Sequence, residues 1–480
     1  MGHVTRKSLR WHLSLVFVVA LVSRIAFFFF EPWLHPDEFF QYLEPPQWHL
    51  TGFGWKAWEW RDGIRSWVMP AYHGGWLALL RALGVRDGRT LLAFFQLHWA
   101  VVSVLLPCGA FRAGRVLAAR VEAMEGADVS AGSSSEIPGW FGGLLAAWAV
   151  ALFPPLLYFA PRMLTEVPSM IAIVWGYTFA LESHDKAGKH ANKAIVVAGL
   201  LLSFGAWLRL PNAPLIAFPL LELLIRKRVR HALFIVGSFV LVGLAFGMVD
   251  LLTWGRMFHS VLAFINYNFI QGRAAEHGVE PPFFYAEVIL RHSGWALPFA
   301  LAMALRGIKV NWTFLAGALS IVLYLTTQPH KEERFIIAIW PLFLIASAST
   351  AGALVFHARH PLRARALLTL GCVIALGQGI FGVSRLPRYG HAERYRYSFA
   401  TAWTGQRPDA TGVLVEDHYQ SGGHFCLGST VPLVGFRGEL LLSRLFNYAV
   451  VRKGSTAYEQ VEQRGFRSVS EFGAVVVMKR

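Results

Sequence analysis

Apolar runs of membrane-spanning length recur along the chain and constrain its fold more than any other feature. An α-helix needs about 20 predominantly apolar residues to cross a bilayer. The sequence is 55% hydrophobic and only 15% charged, whereas soluble domains carry roughly 25% charged residues. We therefore expect an all-α polytopic membrane protein with about eleven transmembrane helices. The runs lie near 11–30, 90–111, 139–160, 166–182, 193–208, 212–225, 232–252, 285–305, 310–327, 335–356 and 366–384.

The basic residues lie mainly between these runs, which explains the net charge of +16 without a nucleic-acid partner. Short cytoplasmic loops of membrane proteins are enriched in Lys and Arg. If the N-terminus is cytoplasmic, the loops on its side carry basic clusters near 112–120, 186–193, 226–230, 306–309 and 359–365. The sequence thus predicts a cytoplasmic N-terminus, a lumenal or periplasmic C-terminus, and contacts with membrane lipids.

This topology depends on the segment 67–83, which is short and contains Pro70, His73 and Arg81. We interpret it as an interfacial or re-entrant helix, because helices of mixed polarity lie in the membrane surface. Counting it as a span would place every later basic loop on the external side. Arg24, inside the first run, has no role in this scheme.

Two long polar segments complete the layout. Residues 31–89 are a first external loop rich in Trp, and residues 386–480 are expected to form a small lumenal or periplasmic α/β domain. The sequence of that domain predicts strands at 412–416 and 474–478 and a helix at 457–464. Residues 1–385 are then the transmembrane domain.

Five polar segments meet at the external face in this topology. Ionisable residues within membrane segments are costly and mark functional sites by default. The topology used only run lengths and loop charges, so the convergence is separate support for one shared site. The segments are 35–38, 162–166, 209–212, 250–254 and 330–334.

The sequence His35-Pro36-Asp37-Glu38 directly follows the first run. Proline stops a helix from continuing, and carboxylates near an apolar surface have raised pKa values that suit a general base. Asp37 and Glu38 are therefore candidate catalytic residues, and His35 and Gln41 are candidate substrate contacts. The alternative is a helix end with solvated acids.

Trp58-Glu59-Trp60, with Arg65 nearby, combines aromatic rings and charges in a way that suits sugar recognition. The alternative is an aromatic belt at the membrane interface. Arg162 and Glu166 lie in a tight connection between two runs. They either pair with each other or bind substrate.

Arg209, His330, Lys331 and Arg334 are candidate ligands of a lipid phosphate, because cationic side chains donate strong hydrogen bonds to phosphate oxygens. The alternatives are a snorkelling arginine at 209 and a solvated loop at 330–335. Three scattered cysteines and the tail histidines lack metal-ligand spacing. We predict no metal site and no cofactor, and leave a divalent cation open.

These motifs resemble those of the glycosyltransferase family 22 mannosyltransferases in the GT-C superfamily, including the GPI-mannosyltransferase branch. The resemblance covers about residues 10–385, and the chain departs from it where Glu166 continues into Val167-Pro168. The residues that carry it are His35-Pro36-Asp37-Glu38-Phe39-Phe40-Gln41, Trp58-Glu59-Trp60, Ile64-Arg65-Ser66, Arg162-Met163-Leu164-Thr165 and His330-Lys331-Glu332-Glu333-Arg334-Phe335.

The resemblance implies a GT-C fold whose catalytic motif lies in the first external loop, with Asp37 at the general-base position and Glu38 beside it. It implies a dolichyl- or polyprenyl-phosphate mannose donor, a lipid-linked glycan acceptor similar to a GPI precursor, and inversion to an α-mannoside. The membrane would be that of the endoplasmic reticulum, or the inner membrane if the source is bacterial.

Two alternatives stay open beside this inverting mannosyltransferase. One is a GT-C transferase of another lipid-linked sugar. The other is a lipid-linked oligosaccharide flippase or transporter. Transporters usually hold polar residues near the membrane midplane in repeated halves, and no such repeat is visible in the sequence.

Overall fold

The computed structural model of the chain describes residues 6–30, 35–125, 139–356 and 394–480. The last predicted run, 366–384, and the predicted domain boundary at 385/386 lie outside these ranges. The described α-helices, numbered in chain order, are α1 Arg6–Phe30, α2 Glu44–Thr51, α3 Trp58–Arg61, α4 Val68–Ala82, α5 Gly88–Val102, α6 Leu105–Met124, α7 Trp140–Leu152, α8 Pro154–Phe159, α9 Glu166–Ser183, α10 Gly188–Leu208, α11 Ala217–Ile225, α12 Val229–Trp254, α13 His259–Ile265, α14 Phe284–Ser293, α15 Ala296–Arg306, α16 Ile308–Thr326, α17 Ile339–Phe356, α18 Arg394–Gly405, α19 Gly423–Leu427 and α20 Thr456–Gln463.

Short 3₁₀ and π-helical segments connect several of these helices. They are Glu38–Leu43, Leu210–Ile216, Asn266–Ile270, Arg273–His277, Glu333–Ile336 and Gly438–Leu442. The segment predicted as an interfacial helix at 67–83 is the single helix α4.

The described apolar runs are helical, but not every run is one unbroken helix. By length and composition, four helical segments of the described residues could cross a membrane: Gly88–Met124, Gly188–Leu208, Val229–Trp254 and Ile308–Thr326. Helices α14 and α15 meet at 99° and make a fifth only if they are taken together. The run 139–160 is divided at Phe153, before Pro154, because proline lacks the N–H of a continuous helix. The number of eleven spans stays a prediction.

Helices α7 and α17 pack closely because small residues face each other. A Cβ atom on Gly352 of α17 would lie 2.4 Å from the Cα atom of Gly142 in α7. Only glycine permits this approach. Close backbone contact is how helices associate in lipid, where the hydrophobic effect between helices is weak.

Arg24 is fully buried in α1 and supports the break between α7 and α8. Its guanidinium donates to the Ala151 carbonyl at 3.1 Å and to Ser103 Oγ at 2.9 Å. In an unbroken helix the Ala151 carbonyl would accept from the nitrogen of Pro155, which carries no hydrogen. Arg24 therefore supplies the hydrogen bond that proline removes.

The C-terminal residues form an α/β unit around a mixed five-stranded sheet in the order β2-β1-β3-β5-β4. Strand β1 is parallel to β2 and β3, while β5 is antiparallel to β3 and β4. Helices α18 and α20 each bury apolar residues against it. Three elements of this unit were predicted and appear as β1, β5 and α20. The strands are β1 Val413–Val415, β2 Leu433–Gly435, β3 Tyr448–Arg452, β4 Arg467–Phe472 and β5 Val475–Lys479.

Candidate active site

A cavity of about 390 Å³ lies where four of the five polar segments meet. Each of those four segments contributes a charged side chain to the cavity wall, namely Asp37, Glu166, Arg209 and Arg334. The fifth segment, 250–254, contributes no lining residue. The structure therefore brings chemically reactive side chains together from distant parts of the chain.

Asp37 lies at the start of the helical stretch that begins at Pro36, and its side chain is 22% exposed in the cavity. Its Oδ2 accepts from Arg334 Nη2 at 2.6 Å, and its Oδ1 is 3.6 Å from His35 Nδ1. Burial opposes ionisation, but the charges of Arg334 and His35 outweigh it, so the pKa of Asp37 is lowered. The raised pKa expected from the sequence is wrong for this carboxyl.

Glu38 has no exposed surface and does not line the cavity. Its Oε1 accepts from the His35 amide at 2.8 Å and its Oε2 from the Met163 amide at 2.9 Å. Arg162 Nη1 is 3.9 Å from Oε1. Burial raises the pKa of Glu38, although Arg162 and the two amides oppose this. Glu38 thus holds the 35–38 turn against the 162–163 turn.

Glu332 links three of the cavity's nitrogen-bearing side chains. Its Oε1 accepts from Arg334 Nη2 at 2.8 Å and lies 3.1 Å from His330 Nε2. Its Oε2 is 3.6 Å from His35 Nε2. Burial disfavours the charged form, but Arg334 and His330 outweigh it and hold the pKa of Glu332 well below its usual range. One carboxylate therefore fixes groups from two distant segments.

Arg209 and Arg334 both lie beside the Glu166 carboxylate. Glu166 Oε1 is 3.1 Å from Arg209 Nη1 and 3.6 Å from Arg334 Nε. The buried Nε–H groups of these two arginines and of Arg65 have no hydrogen-bond partner among the described residues. An unpaired buried donor costs about 1–3 kcal/mol. Three such donors around one cavity favour the binding of anionic oxygens.

Aromatic side chains form a second part of the wall. The Trp58 ring stacks against Tyr267 and His277, with centroid distances of 4.8 and 4.7 Å. Beside it, Glu59 Oε1 accepts from Gln41 Nε2 at 2.7 Å. Aromatic rings provide a large, rigid apolar surface, and here polar groups lie next to it.

The Alg9-like mannosyltransferase family matches residues 15–384, which is most of the chain. The chain belongs to this family. Sequence relatives include GPI mannosyltransferase 3 of Yarrowia lipolytica, 28% identical over 325 residues, and alpha-1,2-mannosyltransferase alg9 of Schizosaccharomyces pombe, 25% identical over 381 residues. The matches cover 65% and 72% of this chain and 57% and 59% of those relatives. The chain thus spans less than two thirds of their length.

Solved structures of other proteins share the fold. ArnT from Cupriavidus metallidurans bound to undecaprenyl phosphate gives a TM-score of 0.61 at 13% identity, covering 98% of this chain and 97% of that one. The Archaeoglobus fulgidus oligosaccharyltransferase in the apo form gives 0.53 at 12% identity, covering 92% and 69%. These neighbours confirm the expected GT-C type of helical membrane fold for this Alg9-like chain.

In this Alg9-like protein most of the predicted site residues line the cavity, and four do not. Lys331 is buried and donates to the Glu280 carbonyl at 2.8 Å. Trp60 donates through Nε1 to the Phe40 carbonyl at 3.0 Å. Glu38 and Arg162 lie behind the wall. The predicted residues that line it are His35, Asp37, Gln41, Trp58, Glu59, Arg65, Glu166, Arg209, His330 and Arg334.

The sequence assigned no role to Glu332, Tyr267 or His277, which also line the cavity. Glu332 lies inside the recognised 330–335 motif, so its spacing was a usable signal. Tyr267 and His277 lie in a loop without a motif, and only the fold brings them to Trp58. Within the described ranges, no three His, Cys, Asp or Glu side chains are arranged to hold a metal ion; the metal-free site stays a prediction.

Proposed function

We propose that the protein is an inverting mannosyltransferase that moves mannose from a dolichyl- or polyprenyl-phosphate donor to a lipid-linked glycan similar to a GPI precursor. The observation that carries this is the cavity in which the Asp37 carboxylate lies 2.6 Å from the Arg334 guanidinium. A base and a cationic group are thus adjacent, as transfer from a phosphate leaving group requires. Membership of the Alg9-like mannosyltransferase family supports mannose as the sugar.

In the proposed reaction Asp37 accepts the proton of an acceptor hydroxyl. That oxygen attacks mannose C1 from the face opposite the phosphate, and a new C1–O bond forms as the bond to the phosphate oxygen breaks. The lipid phosphate leaves with the electron pair, and the configuration at C1 inverts. Fixed charges that meet the developing charge are often the largest catalytic contribution.

Arg209 and Arg334, with His330, are the proposed ligands of the departing phosphate. Both arginines line the cavity and have an Nε–H without a hydrogen-bond partner in the described chain. Lys331 is omitted because its ammonium donates to a backbone carbonyl. The stacked Trp58 and the Gln41–Glu59 pair are the proposed acceptor side.

We further propose that the cavity faces the lumen or the periplasm, as the charge-based topology predicts. The described apolar helices support an integral membrane protein. Relatives from eukaryotes favour the endoplasmic reticulum membrane, and the inner membrane would be the counterpart in a bacterial source.

The direct test is Asp37→Asn in protein purified in lipid nanodiscs, with polyprenyl-phosphate [³H]mannose and a synthetic mannosylated glycosylphosphatidylinositol. General-base catalysis contributes about 10²–10⁴-fold, so we expect at least about a 100-fold loss of rate with normal protein yield. Asp62→Asn is the matched control, because Asp62 is 38% exposed in the same loop and does not line the cavity. Full activity of Asp37→Asn refutes Asp37 as the base.

A donor screen tests the sugar. Polyprenyl-phosphate mannose, glucose and arabinose are offered to the same preparation, and the mannose donor is expected to react fastest. Preference for another sugar would make the protein a different GT-C transferase. Lipid translocation in proteoliposomes without sugar transfer would favour the flippase alternative.

A further inference from the structure

The five-residue helix α19 of the C-terminal unit is inserted between the first external loop and helix α5. All of its residues, Gly423–Leu427, are buried. The ring of Phe425 lies between Phe39 and Phe95, with centroid distances of 6.4 and 6.0 Å. The segment that follows Asp37 and Glu38 is therefore in direct contact with a C-terminal element.

The carboxylate of Glu44 closes this contact. Glu44 has no exposed surface, and its Oε1 accepts from the Phe425 amide at 2.5 Å. Its Oε2 accepts from the Trp55 amide at 2.6 Å. One side chain of the first loop thus binds backbone groups both of that loop and of the C-terminal unit.

Gly423 is shaped to receive this carboxylate. Its φ is +62°, and a Cβ atom there would lie 2.5 Å from Glu44 Cδ. An L-residue at this position would be strained and would also collide with the carboxyl group. The contact therefore requires glutamate at position 44 in the first external loop and glycine at position 423 in the C-terminal unit.

Glu44 is connected to the cavity along the chain in two directions. Residues 36–51 are helical without interruption, so Asp37 and Glu44 belong to one continuous helical stretch. In the other direction, Trp55 precedes Trp58 and Glu59, which line the cavity. A shift of this carboxylate would therefore move both the proposed base and the proposed acceptor side.

We propose that Glu44 is a positioning residue, by which the C-terminal unit fixes Asp37 and the acceptor side of the cavity for catalysis. The inference rests on the proposed transferase function. The family match ends at residue 384, before the described C-terminal unit begins. The C-terminal unit would therefore contribute to the geometry of the site from outside the region that the family matches.

The size of the effect follows from geometry. Displacement of a reacting group by about 1 Å costs about 100-fold in rate. The cationic groups depend less on Glu44, because Arg209 is paired with Glu166, and Arg334 is held by Glu166 and Glu332 as well as by Asp37. We therefore expect Glu44→Gln to lower kcat by about 10- to 100-fold and to leave KM for polyprenyl-phosphate mannose within about twofold.

Gly423→Ala tests the same contact from the C-terminal side. Its matched control is Gly465→Ala, because Gly465 also has a positive φ, +84°, but a Cβ atom there meets nothing within 4 Å. Gly423→Ala should lower kcat as Glu44→Gln does, whereas Gly465→Ala should not. The double variant Glu44→Gln/Gly423→Ala should be no slower than the slower single variant, because both changes break one interaction.

Hydrogen–deuterium exchange supplies a readout that needs no activity. Peptides covering 35–61 and 421–428 should exchange faster in Glu44→Gln and in Gly423→Ala, while peptides of β3 and β5 stay protected as in the wild type. Unchanged kcat in both variants overturns the proposal. So do additive effects in the double variant, or a rise in donor KM that parallels the loss of kcat.

The outcomes separate this inference from the proposed function. If the wild-type protein transfers no mannose, the proposed function fails, while the exchange data still report whether Glu44 holds the two units together. If the wild type is active and the Glu44 and Gly423 variants are equally active, the positioning role fails and the transferase function stands.

Discussion

Asp37 and Glu38 are neighbours in the sequence, but their surroundings give them different capacities. Asp37 lines the cavity and contacts Arg334. Glu38 lies behind the cavity wall, where its carboxyl oxygens accept hydrogen bonds from the amides of His35 and Met163. A general base must reach the proton that it removes. The geometry therefore favours Asp37 as the base and a supporting role for Glu38.

Glu38→Gln tests this division. The amide NH₂ of glutamine cannot accept from a backbone N–H, so one buried donor is left unpaired at a cost of about 1–3 kcal/mol. We expect a clear fall in Tm in thermal melts of the purified protein. Asp37→Asn should leave Tm within a few degrees of the wild type while it removes activity. The reverse pattern would contradict the assignment.

The pairing of Asp37 with Arg334 can be tested from the dependence of kcat on pH, in particular from its acid limb, the fall in kcat at low pH. The base must be ionised, so kcat falls as the pH drops through the pKa of Asp37, which burial raises and the positive charges of Arg334, His35 and Arg65 together lower by more. Removing that cation in Arg334→Gln raises this pKa and moves the acid limb to higher pH. The measurement is kcat against pH at saturating donor.

Glu332→Gln provides the control of opposite sign. Glu332 is a negative charge that raises the pKa of Asp37, so its removal should move the acid limb to lower pH. If both variants shift the limb in the same direction, Asp37 is not the group that titrates.

At the scale of elements, a break in an apolar helix leaves a backbone carbonyl without its partner, and a neighbouring side chain must supply the missing hydrogen bond. The prolines at 154 and 155 divide one predicted run into α7 and α8, and Arg24 of α1 donates to the carbonyl that this break leaves open. A buried arginine in a membrane helix is costly unless its donors are used. Here its position follows from the helix break.

Arg24→Leu should destabilise the protein without affecting the cavity. The Ala151 carbonyl would lose the hydrogen bond from Arg24, at about 1–3 kcal/mol for a buried group left unpaired, and the Ser103 hydroxyl would keep only its bond to the Ala100 carbonyl. We expect a lower Tm and reduced yield, with donor KM unchanged in the protein that remains folded. Val22→Ala, on the exposed side of the same helix, should leave Tm nearly unchanged; an equal loss in both variants would contradict this role.

At the scale of the whole molecule, the two sides of the membrane are predicted from loop charge. Single cysteines introduced at Lys189, at the start of α10, and at Glu439, in the C-terminal unit, test this with an impermeant maleimide. Both positions are exposed. Glu439→Cys should react from the external side of intact cells or from the lumen of vesicles, and Lys189→Cys should react from the cytoplasm.

The unsubstituted chain is the control for labelling of the three native cysteines, of which Cys108 is half-buried, Cys426 is buried and Cys372 lies outside the described residues. Labelling of both introduced cysteines from one side would overturn the topology. Exchanged labelling, with Lys189→Cys reacting from the external side and Glu439→Cys from the cytoplasm, would show that α4 crosses the membrane rather than lying in its surface.

The sequence alone determined the features that depend on near neighbours. Helical apolar runs, basic loops between them, the strands β1 and β5 and the helix α20 follow from local hydropathy and residue spacing, and the 35–41 and 330–335 motifs indicated the family. The sequence also located most of the charged residues and histidines that line the cavity, because ionisable side chains are rare within apolar segments.

Only the tertiary structure decided how those residues pair. The Asp37–Arg334 contact joins residues 297 positions apart, and it reverses the pKa shift that the local sequence predicted for Asp37. Lys331 and Glu38 point away from the cavity, and Tyr267, His277 and the Glu44 carboxylate find partners from other segments. Local patterns fix how each element forms, whereas a side chain's charge, burial and partners depend on which distant elements pack against it.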